Sequence, residues 1–120
     1  MKPMIRLAII GCGMISRFHI DAIRQLKTAE LAGVYDPRTE AAERAAAEQG
    51  VRAYRSLDEL WNDRSVDAVC ICTPSGTHGA LAIDALRHGK HVLVEKPMAL
   101  TREECRTILD EAGKNGLRAG

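Results

Sequence analysis

Residues 8–19 read Ala8-Ile9-Ile10-Gly11-Cys12-Gly13-Met14-Ile15-Ser16-Arg17-Phe18-His19. An apolar run passes through a glycine-rich turn straight into an amphipathic helix. Gly11 lets the chain leave the strand in a tight turn. Gly13 has no Cβ, so a pyrophosphate can approach the main chain. The helix that begins near Met14 aims its unpaired N–H groups and the positive end of its dipole at the same place. The third position of the pattern is Ser16 rather than glycine, and a small residue there still lets helix pack closely on strand. A glycine turn between strand and helix can also be purely structural.

The next apolar run, Leu31-Ala32-Gly33-Val34-Tyr35, ends on Asp36, 20 positions after Ser16. A dinucleotide fold needs an acid there to accept hydrogen bonds from the adenosine ribose hydroxyls. Asp36-Pro37 also reads as an N-cap followed by proline at the first helical position. Both roles can hold together, because a carboxylate has several acceptor sites.

Strands and helices alternate along the rest of the chain. Residues 5–10 form the first strand, and Ile15, Phe18, Ala22, Ile23 and Leu26 follow at helical spacing. Strands are expected at 31–35, 51–54, 66–72 and 91–95. Helices are expected at 38–49, from the capping box at 56–59 through Trp61, around Leu81 to Leu86, and from the capping box at 101–104 to about Lys114. Residues 117–120 read as the start of a sixth strand. Strands apolar on both faces and separated by helices imply a parallel sheet covered on both sides. The expected fold is therefore α/β, a doubly wound Rossmann sheet of order 3-2-1-4-5-6 in a single domain.

The 120 residues suffice for one core, and the net charge of +1 gives no basic surplus for nucleic acid. No apolar run approaches a membrane span, and no signal-peptide pattern is present. Cys12, Cys70, Cys72 and Cys105 are not in a zinc spacing, so no metal is expected. Cys70 and Cys72 alternate in a strand and face one side as core thiols. A reducing, cytoplasmic setting fits them best.

Ligands of a doubly wound sheet sit at the carboxyl ends of the strands. Two polar segments fall there. Thr73-Pro74-Ser75-Gly76-Thr77-His78 follows strand four, with small residues and proline that keep the loop low against a nicotinamide ribose. His78 reads either as a substrate or ribose contact or as a packed, hydrogen-bonded histidine. Glu95-Lys96-Pro97 follows strand five. Lys96 can hydrogen-bond a substrate hydroxyl and stabilise the alkoxide that forms as hydride leaves, or it is an ordinary surface lysine. Pro97 restricts Lys96 to extended geometry. The isomer of the Lys96–Pro97 bond is not legible in sequence.

Taken in order, Gly11-Cys12-Gly13-Met14-Ile15-Ser16, Asp36, the Thr-Pro-Ser-Gly-Thr-His loop and Glu95-Lys96-Pro97 resemble the Gfo/Idh/MocA family of glucose-fructose oxidoreductase and inositol dehydrogenase. The resemblance runs from Ile5 to the end. It implies that 1–120 is a Rossmann domain binding NAD, or NADP. Its implied reaction moves a hydride between nicotinamide and a hydroxyl of a sugar, inositol or sugar nucleotide. The family lysine maps onto Lys96 as the catalytic residue. The wording around Cys72–His78 and Val94–Ala99 looks like the sugar-nucleotide 3-dehydrogenase branch. Expected cofactor contacts are Gly11, Cys12, Gly13, Met14, Ile15, Asp36, Arg38, Thr73, Pro74, Ser75, His78, Glu95 and Lys96.

Family members carry a second α/β domain that supplies most of the substrate site and much of the oligomer interface. The stop inside a predicted strand points to the cofactor domain of a longer enzyme, homo-oligomeric in full-length form, with a small sugar or polyol as its partner. Without that domain, apolar surface at the sheet edge would be exposed. A stand-alone NAD-binding or redox-sensing module is the alternative. A methyltransferase also uses a glycine turn and an acid after strand two, but gives Glu95-Lys96-Pro97 no role. Asp36 would repel a 2′-phosphate and so favours NAD, whereas Arg38 can pair with that phosphate.

Overall fold

Five parallel strands line up in the order β3-β2-β1-β4-β5. The computed structural model describes residues 4–120, apart from the side chain of Ser75, so the contact expected of Ser75 lies outside the described residues. In chain order the elements are β1 (Ile5–Ile10), α1 (Met14–Gln25), β2 (Ala29–Tyr35), α2 (Thr39–Gln49), β3 (Arg52–Ala53), α3 (Leu57–Asn62), β4 (Ala68–Ile71), α4 (His78–Arg87), β5 (His91–Val94) and α5 (Arg102–Lys114). The strand order reverses at β1, which pairs with β2 on one side and β4 on the other.

The two faces of the sheet make two cores. Ala8, Ile10, Val69 and Ile71 pack against α3, α4 and α5 through Leu60, Leu86 and Ile108. Ile9, Leu31, Val34 and Cys70 face the other way, against Ile20 and Ile23 of α1 and Ala46 of α2. Alternate residues of one strand thus serve opposite layers. Each fully buried isoleucine or leucine contributes roughly 1.5–3 kcal/mol.

Several boundaries differ from those read in the sequence. The sixth strand is represented by a single parallel bridge, Val92 to Ala119, on the open edge of β5. Val94 N–H donates to the Gly120 carbonyl at 2.7 Å there. β2 begins earlier, at Ala29, because Ala29 and Glu30 find partners in Ile5 and Arg6. β4 begins later, since Val66 N–H turns back to the Asp63 carbonyl. On α1 the buried stripe is Ser16, Ile20 and Ile23, so Ile15, Phe18 and Leu26 stay outside. The N-cap half of both expected capping boxes is seen: the Ser56 and Thr101 hydroxyls accept from the Glu59 and Glu104 N–H groups.

Asp63 ties the far end of the sheet together. Its carboxylate accepts from the Ser65 hydroxyl and the Tyr54 phenol, each at 2.6 Å. These bonds, Ser65 first, hold it at about 2 against an ordinary 3.8. A depressed carboxylate stabilises the fold above its unfolded value, by roughly 2 kcal/mol here. That stability is lost as pH falls from about 4 toward 2. Urea titrations across this window should show the loss in the wild type and a flatter profile in Asp63→Asn.

Candidate functional site

The turn after β1 is built on Gly11. Its φ is +98°, and a Cβ there would lie 2.8 Å from the backbone of Cys72 and Thr73. Conformation and close approach therefore both exclude other L-residues. Gly13 differs. It is the N-cap of α1 with an ordinary extended backbone, and no side chain caps the helix. A Cβ on Gly13 would meet no protein atom within 4 Å. Ser16 N–H donates to the Gly13 carbonyl at 3.2 Å, and the two N–H groups before it, of Met14 and Ile15, open the helix where no intrahelical carbonyl can reach them. The cradle fits an anion that a side chain would displace. Ser16, 2% exposed, donates its hydroxyl to the Gly13 carbonyl at 2.6 Å and braces the turn.

Asp36 lies at the end of β2, next to this turn. Its Oδ2 accepts from Cys12 N–H and its Oδ1 from Arg38 N–H, both at 2.8 Å. The Arg38 guanidinium adds bonds of 3.2 and 3.3 Å. Burial pushes the carboxyl up, but the bonds from Arg38 and Cys12 outweigh it and hold Asp36 below its ordinary value. Asp36 is not the N-cap: Arg38 is, and α2 starts at Thr39, so Pro37 precedes the helix. Cys12, pushed up to about 11 by burial and then by Asp36, is an unreactive thiol.

The loops after β4 and β5 are fastened to each other. His78 is 2% exposed, and its ring nitrogens face the Pro97 carbonyl at 2.7 Å and the Thr73 carbonyl at 2.6 Å. His78 is thus packed between the two loops, with a backbone carbonyl within hydrogen-bond distance of each ring nitrogen. Glu95 N–H donates to Ile71 O at 3.1 Å, which sets the Glu95-Lys96 step beside the end of β4. The Glu95 carboxylate is paired with His19 Nε2. Lys96 is exposed and makes no ion pair among the described residues, and its bond to Pro97 is cis.

The expected residues thus gather at the carboxyl ends of β1, β2, β4 and β5. A groove of about 580 Å³ runs between Gly11, Gly13, Asp36, Arg38, Thr73 and Pro74. A second, of about 400 Å³, opens on the other side of Gly13 and Arg38, between α1 and α2, and includes Cys12 and Met14. Ile15, Glu95 and Lys96 line neither. Arg17 and Arg44 in the second groove escaped the sequence reading. They sit on separate helices with no local motif, and only their common facing of Gly13 signals them. His19 escaped for the same reason.

A family model described as an oxidoreductase family with an NAD-binding Rossmann fold, Gfo/Idh/MocA, matches residues 5–120. The chain belongs to this family. As a Gfo/Idh/MocA Rossmann domain, it is 41% identical over 112 residues to UDP-N-acetylglucosamine 3-dehydrogenase of Acidithiobacillus ferrooxidans, across 93% of this chain and 34% of that protein. The WlbA dehydrogenase of Bordetella pertussis, solved with NADH and UDP-GlcNAcA, superposes with a TM-score of 0.89 at 37% identity, over 95% of this chain and 34% of that one. A 3-ketoreductase of Actinomadura kijaniata, solved with NADP and TDP-benzene, gives 0.89 at 30% identity over 95% of this chain and 35% of that one. The chain spans about a third of the length of these relatives. Family membership makes this the NAD-binding Rossmann domain of an oxidoreductase family. No described helix is long and apolar enough to cross a membrane.

Proposed function

We propose that this Gfo/Idh/MocA domain serves a dehydrogenase that moves a hydride between a nicotinamide and a hydroxyl carbon of a sugar, inositol or sugar nucleotide. Sugar nucleotides are the first choice within that class. The observation that carries the reading is the convergence of the open Gly13 cradle, Asp36 and exposed Lys96 at one end of the sheet. The similarity to a UDP-N-acetylglucosamine 3-dehydrogenase supports the substrate class.

In this reading the N–H groups of Met14 and Ile15 hold the pyrophosphate above Gly13. Asp36 accepts from the adenosine ribose. Thr73 and Pro74 wall the groove, and Glu95, paired with His19, lies outside it beside the end of β4. When bound, the nicotinamide supplies the hydride acceptor or donor. Lys96 Nζ hydrogen-bonds the reacting hydroxyl and favours its alkoxide character as the proton departs. His78 positions the two loops without touching substrate. The reading extends to a homo-oligomeric full-length form in a cytoplasmic setting, supported by four free thiols and by exposed Met14 and Phe18.

The direct test is NADH formation by the full-length polypeptide with UDP-sugars, free sugars and inositols. Cofactor binding without turnover on any of them would overturn the reading in favour of a non-catalytic NAD-binding module.

Arg38 sets a second expectation. The four bonds to Asp36 fill its acceptor positions, so the ribose must displace the guanidinium, which is 71% exposed. Displaced, Arg38 is available to a 2′-phosphate. Arg38→Ala should strengthen NAD binding and weaken NADP binding at least about tenfold. Fluorescence titration with both cofactors measures this, and an unchanged NADP affinity would remove Arg38 from the site.

A further inference from the structure

Beneath the glycine turn, on the α1 side of the sheet, three soft or borderline donors meet. Cys70 and Cys72 point the same way from β4 and the residue following it, with their sulfurs 3.7 Å apart. His19 comes down from α1, and one of its ring nitrogens lies within 4.8 Å of both sulfurs. We propose that His19, Cys70 and Cys72 form a binding site for a zinc-class cation.

The geometry selects the cation. Two thiolates on a tetrahedral zinc, at about 2.3 Å each, stand about 3.8 Å apart, whereas a linear two-coordinate ion would spread them to about 4.6 Å. The observed separation matches the tetrahedral case. Two sulfurs and an imidazole are a zinc donor set with a fourth position left for water. Two thiolates also balance a divalent charge inside a core where Cys70 is 1% and Cys72 7% exposed. Without the ion the sulfurs share a weak S–H···S contact. With it, both protons leave and two metal–sulfur bonds form.

The surroundings suit a ligand site. The Glu95 carboxylate grips His19 Nε2, a pairing that orients imidazoles at zinc centres. The His19 and Glu95 side chains are 23% and 30% exposed, which leaves an entry path from the strand ends. The donors come from α1 and β4, and the orienting acid from the end of β5. The ion would pin the helix that opens the glycine turn to the strand beneath it.

The test is titration of the full chain with Co²⁺, followed by Zn²⁺ competition against a chromogenic chelator. The expected result is one equivalent of Co²⁺ showing sulfur-to-metal charge-transfer absorption, displaced by Zn²⁺. Cys72→Ser and His19→Gln should each weaken Zn²⁺ at least about 100-fold, more than the loss expected for an outer-shell change. Cys105→Ser should leave it unchanged. Absence of thiolate charge transfer in the wild type would overturn the site. So would an affinity that survives both substitutions. Should Cys72→Ser fail to fold, His19→Gln at its partly exposed helix position, with the wild-type spectrum, decides the outcome.

Discussion

In the full-length polypeptide, Lys96→Met lowers kcat for hydride transfer by about 10²–10⁴-fold and leaves NAD affinity within about threefold. Lys96 is exposed at the exit of β5 and carries no ion pair among the described residues, so the fold does not use its charge. A side chain that contributes nothing to folding can be removed without unfolding anything. The groove between Gly11, Asp36 and Thr73 does not include Lys96, which places the loss in the chemical step rather than in cofactor capture. Losing the ammonium removes a donor that matters more as the hydroxyl gains alkoxide character. The effect therefore falls on kcat more than on KM. Steady-state kinetics of Lys96→Met beside the wild type, with NAD titrations alongside, gives the split. Unchanged kcat would make Lys96 an ordinary surface residue and remove the proposed hydroxyl contact.

Gly13→Leu abolishes NAD binding, at least about 100-fold or roughly 2.7 kcal/mol, while the melting temperature stays within a few degrees. The two readouts separate because of where the Cβ goes. At Gly13 it meets no protein atom within 4 Å, and φ is −81°, which any residue adopts. The fold loses only the difference between glycine and leucine at an N-cap, about 1 kcal/mol. The added side chain instead fills the space over the first turn of α1, where the pyrophosphate is proposed to sit. Gly11→Leu makes the contrast. Its Cβ would collide with the Cys72 and Thr73 backbone at 2.8 Å, at a φ of +98°, so that variant loses stability together with binding. Calorimetric titration and thermal melts on both variants check the pair. Wild-type NAD affinity in Gly13→Leu would show that the turn is structural only.

The alternation of apolar runs with helical spacing determined the layered α/β sheet, because strands apolar on both faces have no stable home except a covered parallel sheet. The reversal at β1 followed from it. The positions of Gly11 and Asp36 were legible as well, since each depends on residues adjacent in sequence: a turn after a strand, and an acid at the end of the next one. Local pattern also located the N-caps of α3 and α5, whose hydroxyl and N–H lie three residues apart.

Only the tertiary structure decided what depends on partners distant in the chain. The buried stripe of α1 runs through Ser16, Ile20 and Ile23; the turn, braced by the Ser16 hydroxyl, sets which side of the helix meets the sheet. His78 became a clasp between two loops because Pro97 and Thr73 place their carbonyls on either side of its ring. Asp36 surrendered the N-cap to Arg38 and turned toward Cys12, 24 residues earlier. Cys70 and Cys72, unremarkable by spacing, acquired His19 as a third donor only when α1 folded over β4. Sequence periodicity reports which face of an element is apolar. It does not report which side chain from another element lies opposite, and the contacts of Asp36 with Cys12, His78 with Pro97 and His19 with Glu95 are of that second kind.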